Sequence, residues 1–368
     1  MSAQIAAARR RRLTGAMVES GLDVLVVYGN AWQSDYLRYA TDFGILEGEA
    51  LALVTREGEV TLFPDSRLEA ERARGEITGV EIMFAPGTLT AVEQRLEGFR
   101  NSRIGFAPKR LMPLQIAART RDLDMTDATP MIDRLLMVKL ECELDAIRAA
   151  AHLADEGYAV FRQASRSGRR DYELVAEVEG FFRAHGVDDN FMIIGVGGTE
   201  VRGMSPPMGK ILKAGDLVTT ELTPCVDGYY IQICRTLVIG EPNAAQQNAF
   251  AVFRGALEAG IAAVKPGATA GDVARAENGI FRAQGLGDYV TDAYTRVRGH
   301  GLGLFVDTKP HILENVTTVI EAGMTMIVHP NTYHPEAGYL VLGDAVIAGA
   351  TGAEVLTRTP RELFAVAA

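Results

Sequence analysis

One stretch near the middle of the chain constrains the fold most. TPMIDRLLMVKLECELDAIRAAAHLADEGYAVFRQAS, from Thr129 to Ser165, carries apolar residues every three or four places, including Leu140, Leu144, Ile147, Ala151 and Ala154. That period predicts a hinge followed by a long amphipathic helix. The helix divides a chain of 368 residues, long enough for two domains and a large core. The reading places a first domain at residues 1–135 and a second at 136–368.

The first part alternates strands and helices. LDVLVVYGN (Leu22 to Asn30) is a continuous apolar run of the kind found in a buried strand. Ala50 to Asp65 reads as two strands joined at Arg-Glu-Gly, a hairpin signal. ARGEITGVEIMFAP and SRIGFAP supply further short strands, giving a small α/β unit. Beyond the long helix, helices are expected at about 172–185, 244–264 and 270–284, with antiparallel strands between and after them. KPGATAGD, from Lys265, breaks two of these helices: Pro-Gly stops one, and Thr269 to Asp272 caps the next.

Composition narrows the function class. A formal charge of -10 argues against a nucleic-acid partner, which needs a basic footprint. No run approaches the length of a membrane span, and the arginine-rich start predicts no signal peptide. Cys142, Cys225 and Cys234 show no disulfide framework, which predicts a cytoplasmic protein.

Four segments carry the chemistry: ELTPCVDGYYIQICRT from Glu221, GHGLGL from Gly299, MIVHPN from Met326 and GYLVLGDAVI from Gly338. Each reads as strand with a titratable or amide side chain at its edge. Histidine titrates near neutrality and serves as acid, base or ligand. Glycines on both sides of His300 permit close backbone approach. A packing histidine or a solvated glutamate at a strand end is the competing reading for each position.

Together the segments resemble the active-site strands of the creatinase/aminopeptidase (pita-bread, M24) family. That resemblance implies an α/β (α+β) architecture: a small creatinase-like N-terminal domain, then a curved antiparallel sheet with outer helices. Metal-using members carry Asp, Asp, His, Glu and Glu at five positions, where this chain has Glu221, Gln232, His300, His329 and Gly343. A neutral amide and a glycine cannot supply the charge that bridges two cations. The expectation is therefore a metal-independent enzyme with no cofactor, closest in site pattern to ectoine hydrolase and creatinase. It would hydrolyse a C–N bond of a small polar molecule, through an amide, amidine or cyclic amidine.

Glu221, His300 and His329 are the expected catalytic set. Gln232, Tyr230, His334, Met204 and Trp32 are expected to bind substrate. Met204 stands where creatinase presents a histidine, which argues against creatine itself. His311 is a weaker candidate. Two alternatives stand beside this reading. One is a mononuclear metallohydrolase or Xaa-Pro dipeptidase-like enzyme using Glu221, His300 and His329. The other is a catalytically inactive binding protein. The resemblance also implies a homodimer.

Overall fold

The computed structural model describes residues 3–85, 87–120, 123 and 125–368. Met1 and Ser2 of the arginine-rich start, and Pro86 at the end of one expected strand segment, lie outside the described residues. The chain forms two compact units, Met1–Leu136 and Met137–Ala368. Among the described residues no helix is long and apolar enough to cross a membrane.

The first unit is a six-stranded mixed sheet: β1 (Val24–Asn30), β2 (Glu49–Thr55), β3 (Val60–Pro64), β4 (Glu81–Ile82), β5 (Ile104–Ala107) and β6 (Met125–Asp127). The order is β4-β3-β2-β1-β5-β6. Its helices are α1 (Ala3–Glu19), α2 (Asp35–Thr41), α3 (Arg67–Glu76), α4 (Thr88–Glu97), α5 (Leu114–Arg119) and, at the division, α6 (Thr129–Met137). The expected hairpin is present: β2 and β3 pair antiparallel, Val54 opposite Val60. Val24, Val26, Leu51, Phe63, Leu96 and Ile104 close one face of the sheet as a core.

The second unit opens with the long helix, α7 (Glu141–Ala164). The backbone N–H of Leu140 donates to Glu143 Oε2 at 2.8 Å, so the acidic first turn fixes the helix start. Next come α8 (Asp171–Ala184), β7 (Asp189–Gly197), β8 (Leu217–Val226), β9 (Tyr229–Tyr230) and β10 (Ile233–Ile239). The paired helices α9 (Ala244–Ala263) and α10 (Ala270–Ala283) follow. Thr269 caps α10 as expected: its hydroxyl accepts from Asp272 N at 3.1 Å, and Asp272 Oδ2 accepts from Thr269 N at 2.8 Å. The last strands are β11 (Gly299–Gly301), β12 (Thr308–His311), β13 (Thr325–Val328), β14 (Thr332–His334), β15 (Gly338–Leu340), β16 (Asp344–Ala348), β17 (Ala353–Val355) and β18 (Phe364–Val366).

These strands make two five-stranded sheets, one of β18-β10-β8-β7 with β9 on β8, the other β12-β11-β13-β16-β17, and a two-stranded sheet of β14-β15. Pairing is antiparallel, as expected, with one exception: β18 returns beside β10 in parallel. The two sheets meet where Cys234 of β10 and Gly343 exchange backbone hydrogen bonds of 3.1 and 2.9 Å. Arg235 pins this seam. Its guanidinium donates to Gly343 O at 2.7 Å and to Asp344 Oδ1 at 2.6 Å, all of it buried. Asp344 also accepts from Thr357 and Arg361. A buried carboxylate with this many donors stays ionised, and Asp344 is held below the usual carboxylate range although burial alone would raise it. Phe253 of α9 and Phe281 of α10 meet edge to face at 5.0 Å, and the helices cover Val328, Met326 and Val346.

Candidate active site

The seam brings four strand ends together. Glu221 lies mid-strand on β8, opposite Ile193 of β7 and Cys234 of β10. Gln232 directly precedes β10, His300 is the middle residue of β11, and His329 follows β13. All four side chains line one cavity of about 540 Å³, with Met204, Asn331, Tyr339, Arg202, Arg296 and Asp307. That volume suits a small molecule.

Gly299 and Gly301 are required by close approach. A Cβ at Gly301 would lie 2.1 Å from Lys309 O, and one at Gly299 2.2 Å from Ile327 O. The neighbouring strands therefore press directly on β11, and His300 is held at a fixed depth. Its Nδ1 lies 3.0 Å from Gly301 O. A carbonyl only accepts, so Nδ1 carries the hydrogen and neutral His300 presents a lone pair at Nε2. The His300 and His329 rings stand edge to face, 5.5 Å apart.

Burial sets the protonation of the group. It is the largest influence on Glu221, pushing that carboxyl up to about 7 against hydrogen bonds from Cys234 and Asn331. It lowers His300, and it takes His329 down to about 3 with help from the nearby His300. Both imidazoles are thus neutral near pH 7 while Glu221 is poised between its two forms. Asp307 behaves differently. Burial opposes its ionisation, but the hydrogen bond to His311 at 3.0 Å and the charge of Arg296 outweigh this and hold it well below its usual range.

The structure gathers Glu221, His300, His329, Gln232 and Met204 in the cavity. Two expected substrate contacts are corrected. Tyr230 is outside the cavity lining, because its hydroxyl turns outward to Asp189 Oδ2 at 2.9 Å. His334 is also outside it: β14 pairs with β15 there, and His334 Nδ1 accepts from Glu336 N at 3.2 Å. Trp32 belongs to the first unit, where it is 90% exposed. Sequence reasoning missed Asn331, Tyr339, Arg296 and Asp307. Asn331 and Tyr339 sit inside the quoted motifs, and Asp307 follows GHGLGL closely, so nearness to a motif was the available signal.

Comparison with known proteins agrees with this architecture. Residues 145–350 match the model of metallopeptidase family M24, and residues 9–138 match the creatinase/prolidase N-terminal domain. The chain belongs to the M24 family, a family of hydrolases, and has its two-domain pita-bread architecture. It is 25% identical to an uncharacterised peptidase, YqhT, of Bacillus subtilis, over 96% of this chain and 98% of that protein. It is 30% identical to the Xaa-Pro dipeptidase of Pyrococcus furiosus, over 64% of this chain and 67% of that one. The solved Xaa-Pro dipeptidase of Bacillus anthracis superposes with a TM-score of 0.84 at 24% identity, covering 98% of this chain and all of that one, which speaks for the fold.

These relatives are peptidases by name, rather than creatinases or ectoine hydrolases. Membership of a metallopeptidase family, with dipeptidase relatives, overturns the expectation of a metal-independent enzyme. The five positions nevertheless do not fit the family's metal pair. Gly343 offers no ligand and no room for one: a Cβ there would lie 2.6 Å from His329 Cβ and 3.0 Å from Val328 O. Among the described residues no three His, Cys, Asp or Glu side chains, Glu221, His300 and His329 included, are arranged to hold an ion in this structure.

Proposed function

We propose that this cavity hydrolyses the amide C–N bond of a small peptide-like substrate, and that dipeptides are the class to test first. The observation that carries the reading is Glu221: a buried carboxyl pushed up to about 7, facing a cavity it shares with two neutral imidazoles. A carboxyl with that affinity takes and returns a proton at neutral pH. The names of the relatives support the dipeptidase reading over a creatinase or ectoine hydrolase one.

In this mechanism ionised Glu221 takes a proton from water as the water oxygen attacks the scissile carbonyl carbon. The carbonyl π bond opens and its electrons move to oxygen. The Tyr339 phenol, which burial keeps protonated, donates to that oxyanion. Collapse of the intermediate breaks the C–N bond while Glu221 gives its proton to the leaving nitrogen. His300 Nε2 accepts from the attacking water and orients it. Arg202 and Arg296 at the same cavity offer cations to a substrate carboxylate.

The test is a turnover screen on dipeptides, including Xaa-Pro sequences. It uses the protein as purified and again with manganese, cobalt or zinc added. Glu221→Gln keeps the shape and removes the base, so it should lower kcat by roughly 10²–10⁴-fold with a much smaller change in KM. Near-full turnover in Glu221→Gln on a substrate of the wild type would end the acid–base assignment.

A further inference from the structure

We propose that Asn331 is a positioning residue for Glu221, an amide held in one orientation so that its N–H groups face the carboxylate. The inference rests on the acid–base reading of Glu221 and deepens it.

Asn331 is 2% exposed and both ends of its amide are committed. The backbone N–H of Leu342 donates to Asn331 Oδ1 at 3.1 Å. A backbone N–H can only donate, so the oxygen end is identified without ambiguity and the NH₂ end points the other way. There Nδ2 donates to Glu221 Oε1 at 2.7 Å. The main chain at Asn331 is fixed as well. Its carbonyl accepts from Arg298 Nη1 at 3.0 Å, and Arg298 Nε donates to Asn278 Oδ1 at 2.6 Å. Asn278 Nδ2 in turn donates to Glu314 Oε1 at 2.7 Å.

The arrangement has a chemical purpose. A lone buried carboxyl can rotate, and its reacting oxygen is then undefined. With Oε1 held by Asn331, Oε2 is the oxygen left for water and the leaving nitrogen. Hydrogen bonds to the charged form also favour ionisation against the burial that opposes it. Asn331 acts through Glu221 and takes no proton itself. It follows His329 by two residues, so one short turn across Pro330 delivers both an imidazole and the amide that orients the carboxylate.

The discriminating variants are Asn331→Asp and Asn331→Leu. Aspartate keeps an oxygen for Leu342 N–H and the same shape but replaces the fixed N–H donor by a second acid that competes with Glu221 for one proton, while Asn331→Leu removes the donor outright. Infrared spectra at pH 5, with Glu221 protonated, identify its C=O band as the one missing in Glu221→Gln. The band should move to higher wavenumber in Asn331→Leu, with unchanged circular dichroism. On a dipeptide turned over by the wild type, both variants should lose roughly 10–100-fold in kcat with KM changed by no more than about threefold. An unmoved band would overturn the proposal, whatever the kinetics. A moved band with unchanged kcat would also overturn it, provided Glu221→Gln is impaired. If Glu221→Gln keeps near-full turnover, the acid–base reading fails, while the band still reports whether the amide holds the carboxylate. Should no dipeptide be turned over, the band alone decides.

Discussion

At the residue scale, Glu221 sets activity and stability against each other. An unfolded glutamate loses its proton near 4.5, whereas the folded one holds it until about 7. Between those values the folded state binds more protons than the unfolded, so this group's contribution to stability is full below 4.5 and is lost as pH rises to 7. The loss is on the order of 3 kcal/mol. Glu221→Gln should remove that slope. Urea unfolding at pH 5 and pH 8 should show the variant gaining on the wild type at the higher pH while its turnover falls. An equal stability difference at both pH values would contradict the assigned protonation. His329 has the opposite sign: its depressed value costs stability as pH falls from 6.5 toward about 3. The two slopes partly cancel between roughly pH 4.5 and 6.5. Glu221, His300 and His329 were visible in the sequence because each is a chemically distinctive side chain in an apolar strand context. Asn331 was not: its meaning lies in a bond to a residue 110 positions away, and an asparagine after proline reads as a turn.

At the element scale, β11 is the most demanding strand. It is three residues long, two of them glycines whose missing side chains let Lys309 O and Ile327 O approach. Gly301→Ala should therefore force the β11–β12 pair apart and cost about 2–4 kcal/mol in denaturant unfolding, with loss of turnover as His300 shifts. A fully stable, active Gly301→Ala protein would mean that β12 can yield. The strand and helix spans from Leu22 onward were legible because their periods are strong and their caps explicit, as at Thr269 and Asp272. Tyr230 and His334 were misplaced because a motif fixes which residues are near a strand end but not which way a short edge strand turns its side chains. The parallel return of β18 to β10 left no signal at all, since a three-residue strand carries too little pattern to reveal a partner more than a hundred residues earlier.

At the scale of the whole molecule, each unit carries its own apolar core, one under the mixed sheet and one between α9, α10 and the strands of the second unit. We propose that the chain assembles as a homodimer. Light scattering at micromolar concentration should give twice the 39.7 kDa chain mass, and a monomeric mass would refute it. The two-part organisation was readable from the period change at Thr129 to Ser165, because a long amphipathic helix needs a body to pack on. The seam between the two sheets of the second unit was not readable. It depends on Arg235 reaching Gly343 and Asp344, more than a hundred residues away.

The strands around Gly343 have closed over the space a side chain would need, with Cys234 Cβ, His329 Cβ and Val328 O all within 3.2 Å of where a Cβ would sit. The crowding involves main chain and β-carbons, which nearly every alternative at positions 234 and 329 would keep. A carboxylate side chain does not fit at position 343 unless the strands part, and the Arg235 clamp resists that. A side chain at position 343 would therefore act on the joint between the two sheets as well as on the cavity beside it.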